Sequence, residues 1–171
     1  MIFIETERTY LRNLSLHDAG DFYRLNLDPE VLKFTGDEAF TTVYEAQKFL
    51  ENYNQYQKYG VGRLAVIEKQ STRFIGWCGL KYNPDKDEYD IGFRFFKAYW
   101  NRGYATETAL KCLEFGFSTI HAEEIAGRAM KVNTASIRVL EKIGMRFKST
   151  CNFEGAEWVI YCITRQEYMK Y

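Results

Sequence analysis

A chain of 171 residues is long enough to bury one sizeable core and short for two, and its 23 basic residues balance 23 acidic ones. That neutrality excludes the basic footprint a nucleic-acid duplex requires, leaving only local basic patches of the kind that suit a phosphorylated small molecule. Two histidines, His17 and His121, lie far apart, and the four cysteines lack Cys-x-x-Cys spacing, so no metal site is expected.

Cys78, Cys112, Cys151 and Cys162 each sit in an apolar run and read as buried thiols of a reducing cytosol, with structural disulfides as the alternative. The opening Met-Ile-Phe-Ile-Glu-Thr-Glu has no basic leader, and no apolar run reaches membrane-spanning length. A soluble, cytoplasmic protein with no membrane partner is the expectation.

In chain order, Arg8 to Leu14 alternates as an opening strand. Ser15 caps a helix through about Leu27, and Asp28-Pro29 restarts a short helical turn that runs out at Phe34-Thr-Gly36. Thr42-Val-Tyr-Glu45 is a capping box for a helix with Ala46, Phe49, Leu50 and Tyr53 on one face, ended by Gly60. Strands follow at Gly62–Glu68 and Phe74–Tyr82. The turn signal Asn83-Pro-Asp-Lys-Asp87 then delivers the chain into a third strand from Asp90. A helix from about Arg102 to Thr119, a strand at Glu124–Met130 and a helix from Asn133 to Ile143 come next, with Gly144 past the end of the last. Met145–Phe153 and Glu157–Thr164 form a closing hairpin, and Thr164 to Glu167 can cap a final turn. The order β-α-α-β-β-β-α-β-α-β-β predicts one α/β domain, residues 1–171, on a mixed sheet.

The stretch Asp90 to Glu107 organises the rest. Ile91, Phe93 and Phe95 alternate as a strand, the chain breaks over Lys97 to Asn101, and Gly103-x-Ala105 opens a helix. Backbone N–H groups from about Asn101 to Thr106 then point forward unpaired, an anion site suited to a pyrophosphate.

These residues resemble the GNAT superfamily of acyl-CoA-dependent N-acetyltransferases, and within it the branch of the ribosomal-protein N-terminal acetyltransferases RimJ and RimL. The likeness spans nearly the whole chain. Glu7-Arg8-Thr-Tyr-Leu-Arg12 with Asp18-Ala19, then Asp28-Pro-Glu-Val31, and Ala46 with Phe49-Leu50 fall where that branch has its opening strand and helices. Asp90-Ile-Gly-Phe93 followed by Tyr99-Trp-Asn-Arg-Gly-Tyr-Ala-Thr-Glu107 matches the acyl-CoA loop at Gly103 and Ala105, with Trp100 where Gln or Arg is usual. Asn133-Thr-Ala-Ser-Ile-Arg-Val-Leu-Glu-Lys-Ile-Gly-Met145 is the second motif.

The resemblance implies a single-domain GNAT-like fold: a mixed, mostly antiparallel central sheet of about seven strands, flanked by helices and splayed at the acyl-CoA site. It implies acetyl-CoA (coenzyme A) as acyl donor, an amine acceptor that is a small molecule or a protein N-terminus, no metal, and room for a homodimer. The donor would be held by Phe93, Arg94 and Phe95 of a bulged strand, by Asn101, Arg102, Gly103, Tyr104, Ala105 and Thr106, and by Asn133, Ser136 and Lys142. Arg102 and Lys142 equally suit solvated helix faces. The Tyr that protonates the leaving thiolate in many members is Leu140 here, so Ser136 is the candidate acid, or the thiolate leaves unassisted. Asp90, where the branch carries Glu, and Glu88 on the same strand face are the candidate bases. Phe34 to Gly36 and the hairpin Phe153 to Trp158 are expected to line the acceptor side or to close the core. The alternative to an N-acetyltransferase is a non-catalytic acyl-CoA-binding sensor.

Overall fold

The structure, a computed structural model, describes residues 1–170; Tyr171, the last residue of the expected domain, lies outside the described residues. The strands are β1 (Phe3–Glu5), β2 (Thr9–Asn13), β3 (Arg63–Glu68), β4 (Phe74–Asn83), β5 (Glu88–Phe95), β6 (Glu124–Met130), β7 (Arg146–Phe153) and β8 (Ala156–Thr164). The helices are α1 (Ala19–Leu25), α2 (Pro29–Leu32), α3 (Val43–Asn52), α4 (Gln55–Tyr59), α5 (Tyr104–Ser118), α6 (Thr134–Lys142) and α7 (Arg165–Tyr168).

Among the described residues these strands form one sheet ordered β1-β2-β3-β4-β5-β6-β8-β7, one strand more than expected because Phe3–Glu5 folds back on β2. Every neighbouring pair is antiparallel except β5 and β6. β3 is covered on both faces, so it reads as a continuous apolar run. Its Leu64 and Val66 join Cys78, Leu80, Ile91 and Phe95 under Ala109, Cys112, Leu113 and Phe117 of α5 and Leu140 and Ile143 of α6. Ala65, Ile67 and Phe74 face the other way, onto Leu25 and Val31. Leu113 and Leu140 are fully buried, and truncating either to Ala costs roughly 2–5 kcal/mol.

The local signals act with small displacements. Thr42 caps α3 by accepting the Glu45 N–H at 3.2 Å, but the Glu45 carboxylate turns to Thr41 instead of closing a box on Thr42. The chain leaves helix at Tyr53 and starts α4 separately, which Gly60 ends at φ 68°. At the start of α1 it is Asp18 that holds the turn, taking the Ser15 N–H at 2.8 Å and both terminal nitrogens of Arg12 at 2.8 Å.

Two expectations are corrected. β5 carries no bulge: its register with β4 is continuous from Asn83↔Glu88 to Gly76↔Phe95, and the irregularity lies instead between β3 and β4, at Val66/Ile67. At Gly76 a Cβ would sit 2.2 Å from the Arg94 carbonyl oxygen, so β4 and β5 approach too closely there for a side chain. The cysteines are not all buried. Cys78 and Cys112 are, with sulfurs 3.8 Å apart, but Cys162 is half-buried and Cys151 is exposed because the edge strand β7 is bare on both faces. No helix among the described residues is long and apolar enough to cross a membrane.

Candidate active site

The site begins where two parallel strands part. The Phe96 N–H donates to Ile75 O at 3.1 Å, which fixes the alternation along β5. Residues 94, 92 and 90 therefore direct their main-chain groups to β4, and 95, 93, 91 and 89 direct theirs toward β6. Pairing with β6 runs from Tyr89↔Ile125 to Ile91↔Gly127 and stops there. Phe93 and Phe95 thus offer main-chain groups to an open wedge. One is already taken, because the Trp100 indole N–H donates to Phe95 O at 2.8 Å. The Phe93 N–H and C=O and the Phe95 N–H face the wedge.

Beyond β5 a 3-10 turn at Lys97–Tyr99 leads to Asn101 at φ 57° and Gly103 at φ 81°, the cap residue of α5. This left-handed passage turns successive N–H groups to one side, and from Asn101 to Thr106 none of the six donates to a protein acceptor among the described residues. They crown a helix of 15 residues whose dipole adds to their pull on an anion. The loop is braced from the first turn of the chain. Arg8 donates to Arg102 O at 2.8 Å and to the Glu107 carboxylate at 2.7 Å, and Glu107 also accepts from Thr6 Oγ1 at 2.6 Å and the Arg8 N–H at 3.0 Å. Burial alone would raise the Glu107 carboxyl, but the Thr6 and Arg8 donors hold it below the usual carboxylate range. Arg8 lies 4.1 Å over the Tyr104 ring, and Arg102 stacks at 5.5 Å on Tyr99 and Tyr104. Tyr104 itself is buried with its hydroxyl on Glu68, so only its main chain faces the loop.

Because β5 and β6 are parallel and each feeds a helix after a short turn, α5 and α6 start at the same end of the sheet. Asn133 caps α6 through its Oδ1 on the Ser136 N–H (3.2 Å) and donates Nδ2 to Ser136 Oγ (2.9 Å), and the Ser136 hydroxyl donates to no acceptor among the described residues. Lys142 is not brought to this end: it occupies the last turn of α6, about 13 Å along the axis from Asn133. Leu140 points into the core.

The two carboxylates share a face, as their spacing requires, but neither is open. Asp90 Oδ1 takes Arg63 Nη2 at 2.6 Å and Oδ2 takes Arg128 Nη1 at 3.3 Å. Glu88 Oε1 lies 2.7 Å from Arg128 Nη2, close enough to pair yet off the hydrogen-bond axis. With both carboxylates already engaged by guanidiniums, the cluster is a charge clamp across β3, β5 and β6 and presents no open carboxylate. Arg63 and Arg128 were the missed members, and their signal was a cation within otherwise apolar strand sequence.

On the same face, under α1 and α3, lies a cavity of about 480 Å³. Its lining includes Asn26, Asp37, Glu38, Phe40, Arg63, Trp77, Lys81 and Arg94. Arg94 does not turn to the wedge; it donates to Asn26 Oδ1 at 2.5 Å and to Asp37 at 2.6 Å, pinning the loop after α2 over the cavity. The expected acceptor segments lie beside this cavity, not in it. Gly36 packs on Trp158, where a Cβ would stand 3.5 Å from the ring, so Phe34–Gly36 and the β7–β8 hairpin meet each other.

A wedge between parallel strands, a loop of unpaired N–H groups and two helix starts at one sheet end are the architecture of an acyltransferase for a phosphorylated donor. The acetyltransferase (GNAT) domain family matches residues 8–146, and the chain belongs to that family as an N-acetyltransferase. It is 30% identical over 171 residues to the uncharacterized N-acetyltransferase YnaD of Bacillus subtilis, covering 96% of this chain and 98% of that one. A GNAT-family acetyltransferase structure from Bacillus anthracis superposes at TM-score 0.84 with 26% identity, covering 96% of this chain and 99% of that one. The ribosomal-protein-S5-alanine acetyltransferase of Vibrio fischeri shares the fold, at TM-score 0.82 and 14% identity over 96% and 97% of the two chains.

Proposed function

We propose that this chain, acting as one domain, transfers an acetyl group from acetyl-CoA to a primary amine by direct transfer in a ternary complex. The acceptor is a protein N-terminal α-amine or a small-molecule amine. The observation that carries this reading is the pairing of the wedge with the unpartnered N–H loop, Asn101–Thr106, at its mouth. The loop suits a pyrophosphate, with Arg102 beside it, and the open Phe93 and Phe95 groups suit the amides of an extended pantetheine arm. The donor supplies an activated thioester; the Phe93 N–H can stabilise oxygen charge developing on its carbonyl.

Ser136 can hand its free hydroxyl proton to the leaving sulfur, a modest demand because a thiol pKa near 8.5 makes thiolate a tolerable leaving group. Asp90 sits in its clamp, so the acceptor proton leaves through water. That favours an amine of low pKa: an α-amine near 8 is about a tenth neutral at pH 7, a lysine ε-amine only a few parts in ten thousand. The RimJ/RimL-like assignment rests on the motif residues, and free cysteines suit a reducing cytoplasm.

Calorimetric titration with acetyl-CoA, followed by thiol release against an amine panel, tests the reading. Tight acetyl-CoA binding and amine-dependent thiol release are expected. Absence of acetyl-CoA binding refutes it. Ser136→Ala is expected to lower kcat at least tenfold with acetyl-CoA affinity retained.

A further inference from the structure

The cavity under α1 and α3 carries information about the acceptor that the family does not. One wall is aromatic: Phe22, Phe40 and Phe49 meet pairwise with ring centroids 5.4–6.1 Å apart, and Tyr53 continues the row 5.8 Å from Phe49. Phe49 is 45% exposed although it sits in this cluster, so the wall presents bare ring surface. The floor is Trp77 with a guanidinium on either side, Arg63 and Arg94, each 5.3 Å from the ring.

The charges decide what else fits. Arg94 is paired to Asp37 and Arg63 to Asp90, so those four cancel. Lys81, beside Asp90 in the β4–β5 register, joins no ion pair among the described residues. Arg63 uses three of its five N–H donors, on Gly79 O, Asp90 O and Asp90 Oδ1, and keeps two. Lys81 and the spare Arg63 donors attract a carboxylate attached to an apolar body. Glu38, which also lines the cavity and joins no ion pair among the described residues, balances Lys81, so the lining suits a zwitterion with an apolar side chain better than a polyamine. The volume, about 480 Å³, lies in the range of small-molecule sites and has room for an aromatic side chain.

We propose that the acceptor is a hydrophobic, preferentially aromatic, α-amino acid. Its side chain lies on Phe22, Phe40 and Phe49, and its carboxylate meets Lys81 and the spare donors of Arg63. Its amine points to the wedge at Phe93. This inference rests on the acetyl-CoA reading above, and the test separates the two. In the transfer, the amine nitrogen forms a bond to the acetyl carbon, the carbon–sulfur bond breaks, and the sulfur leaves as thiol after taking a proton. The amine proton goes to water.

Thiol release with acetyl-CoA should be measured for L-phenylalanine, L-leucine, L-alanine, phenethylamine, L-phenylalaninamide and spermidine, alongside calorimetric titration of acetyl-CoA. The expected result is a kcat/KM for phenylalanine at least tenfold above alanine, phenethylamine and spermidine. Lys81→Gln should narrow the ratio of phenylalanine to phenethylamine about tenfold, through KM rather than kcat. Phe49→Ala, at a half-exposed position that the fold tolerates, should narrow the ratio of phenylalanine to alanine. Acetyl-CoA binding with spermidine, alanine or phenylalaninamide preferred overturns this inference and leaves the donor reading standing; no acetyl-CoA binding overturns both.

Discussion

Gly103 offers the sharpest test of the donor loop, because its backbone and its surroundings can be perturbed separately. Its φ of 81° costs a residue with a Cβ roughly 1–2 kcal/mol. The added Cβ itself meets only the end of Arg8, at 3.4 Å from Nη2, which can give way. Gly103→Ala should therefore lower stability by about that 1–2 kcal/mol, a melting-point drop of roughly 2–8 °C for a chain of this size. Acetyl-CoA affinity should weaken no more than about tenfold. Gly103→Asp carries the same backbone cost and adds a negative charge a few ångströms from the expected pyrophosphate. At an effective dielectric between that of a protein surface and that of water, this repulsion is worth about 1–4 kcal/mol. Affinity should fall on the order of a hundredfold relative to Gly103→Ala. Calorimetry at low and high salt checks this: the Asp-specific loss should shrink as salt screens it, while the shared backbone loss should not. A Gly103→Asp protein that melts as expected yet binds acetyl-CoA like the parent would show that the pyrophosphate lies elsewhere.

Three further outcomes follow from the geometry. Asp90→Asn removes the anion between Arg63 and Arg128, so stability should fall by about 3 kcal/mol while the acid limb of the pH–rate profile stays in place; a displaced limb would restore Asp90 as the base. Arg12→Met strips the buried Asp18 of its partner. Burial opposes charge on Asp18, but Arg12 and the Ser15 N–H hold its carboxyl below the usual value. The stabilisation is thus full above the unfolded carboxyl pKa, about 3.9, and is lost as pH falls through the lower folded value. Urea melts should show the variant roughly 3 kcal/mol weaker at pH 7 and the gap closing toward pH 3. Thiol labelling of the native protein should find Cys151 fast, Cys162 slow, and Cys78 and Cys112 silent until unfolding; fast labelling of Cys112 would contradict its packing under α5.

Elements whose signal is local were readable from the sequence. Glu124–Met130 has the expected bounds, Asn133 caps α6, and Gly144 follows it at φ 91°, because caps and turn residues act within a few positions. β1 was invisible because three residues are too short for a period of two. Cys151 does not sit in an apolar run, because Thr150 and Asn152 flank it; burial also depends on having a layer above, and the edge strand β7 has none. The donor loop was legible since one stretch supplies it. The acceptor side was not: Asn26, Asp37 and Arg94 meet across 57 to 68 residues of chain, and Arg63, Asp90 and Arg128 come from three strands. Lys142 illustrates the converse, a motif residue whose helix carries it away from the motif's other members.

The placement of Trp100 and Trp77 has an optical consequence. One indole caps the Phe95 carbonyl at the mouth of the wedge and is 38% exposed, while the other lies between two guanidiniums on the cavity floor. Intrinsic emission from the first should respond when the donor arrives, and from the second when the acceptor does. With Trp158 and one of the pair replaced by phenylalanine, each remaining indole becomes a separate reporter. Stopped-flow traces could then show which substrate enters first, so the order of assembly is open to observation without any added label.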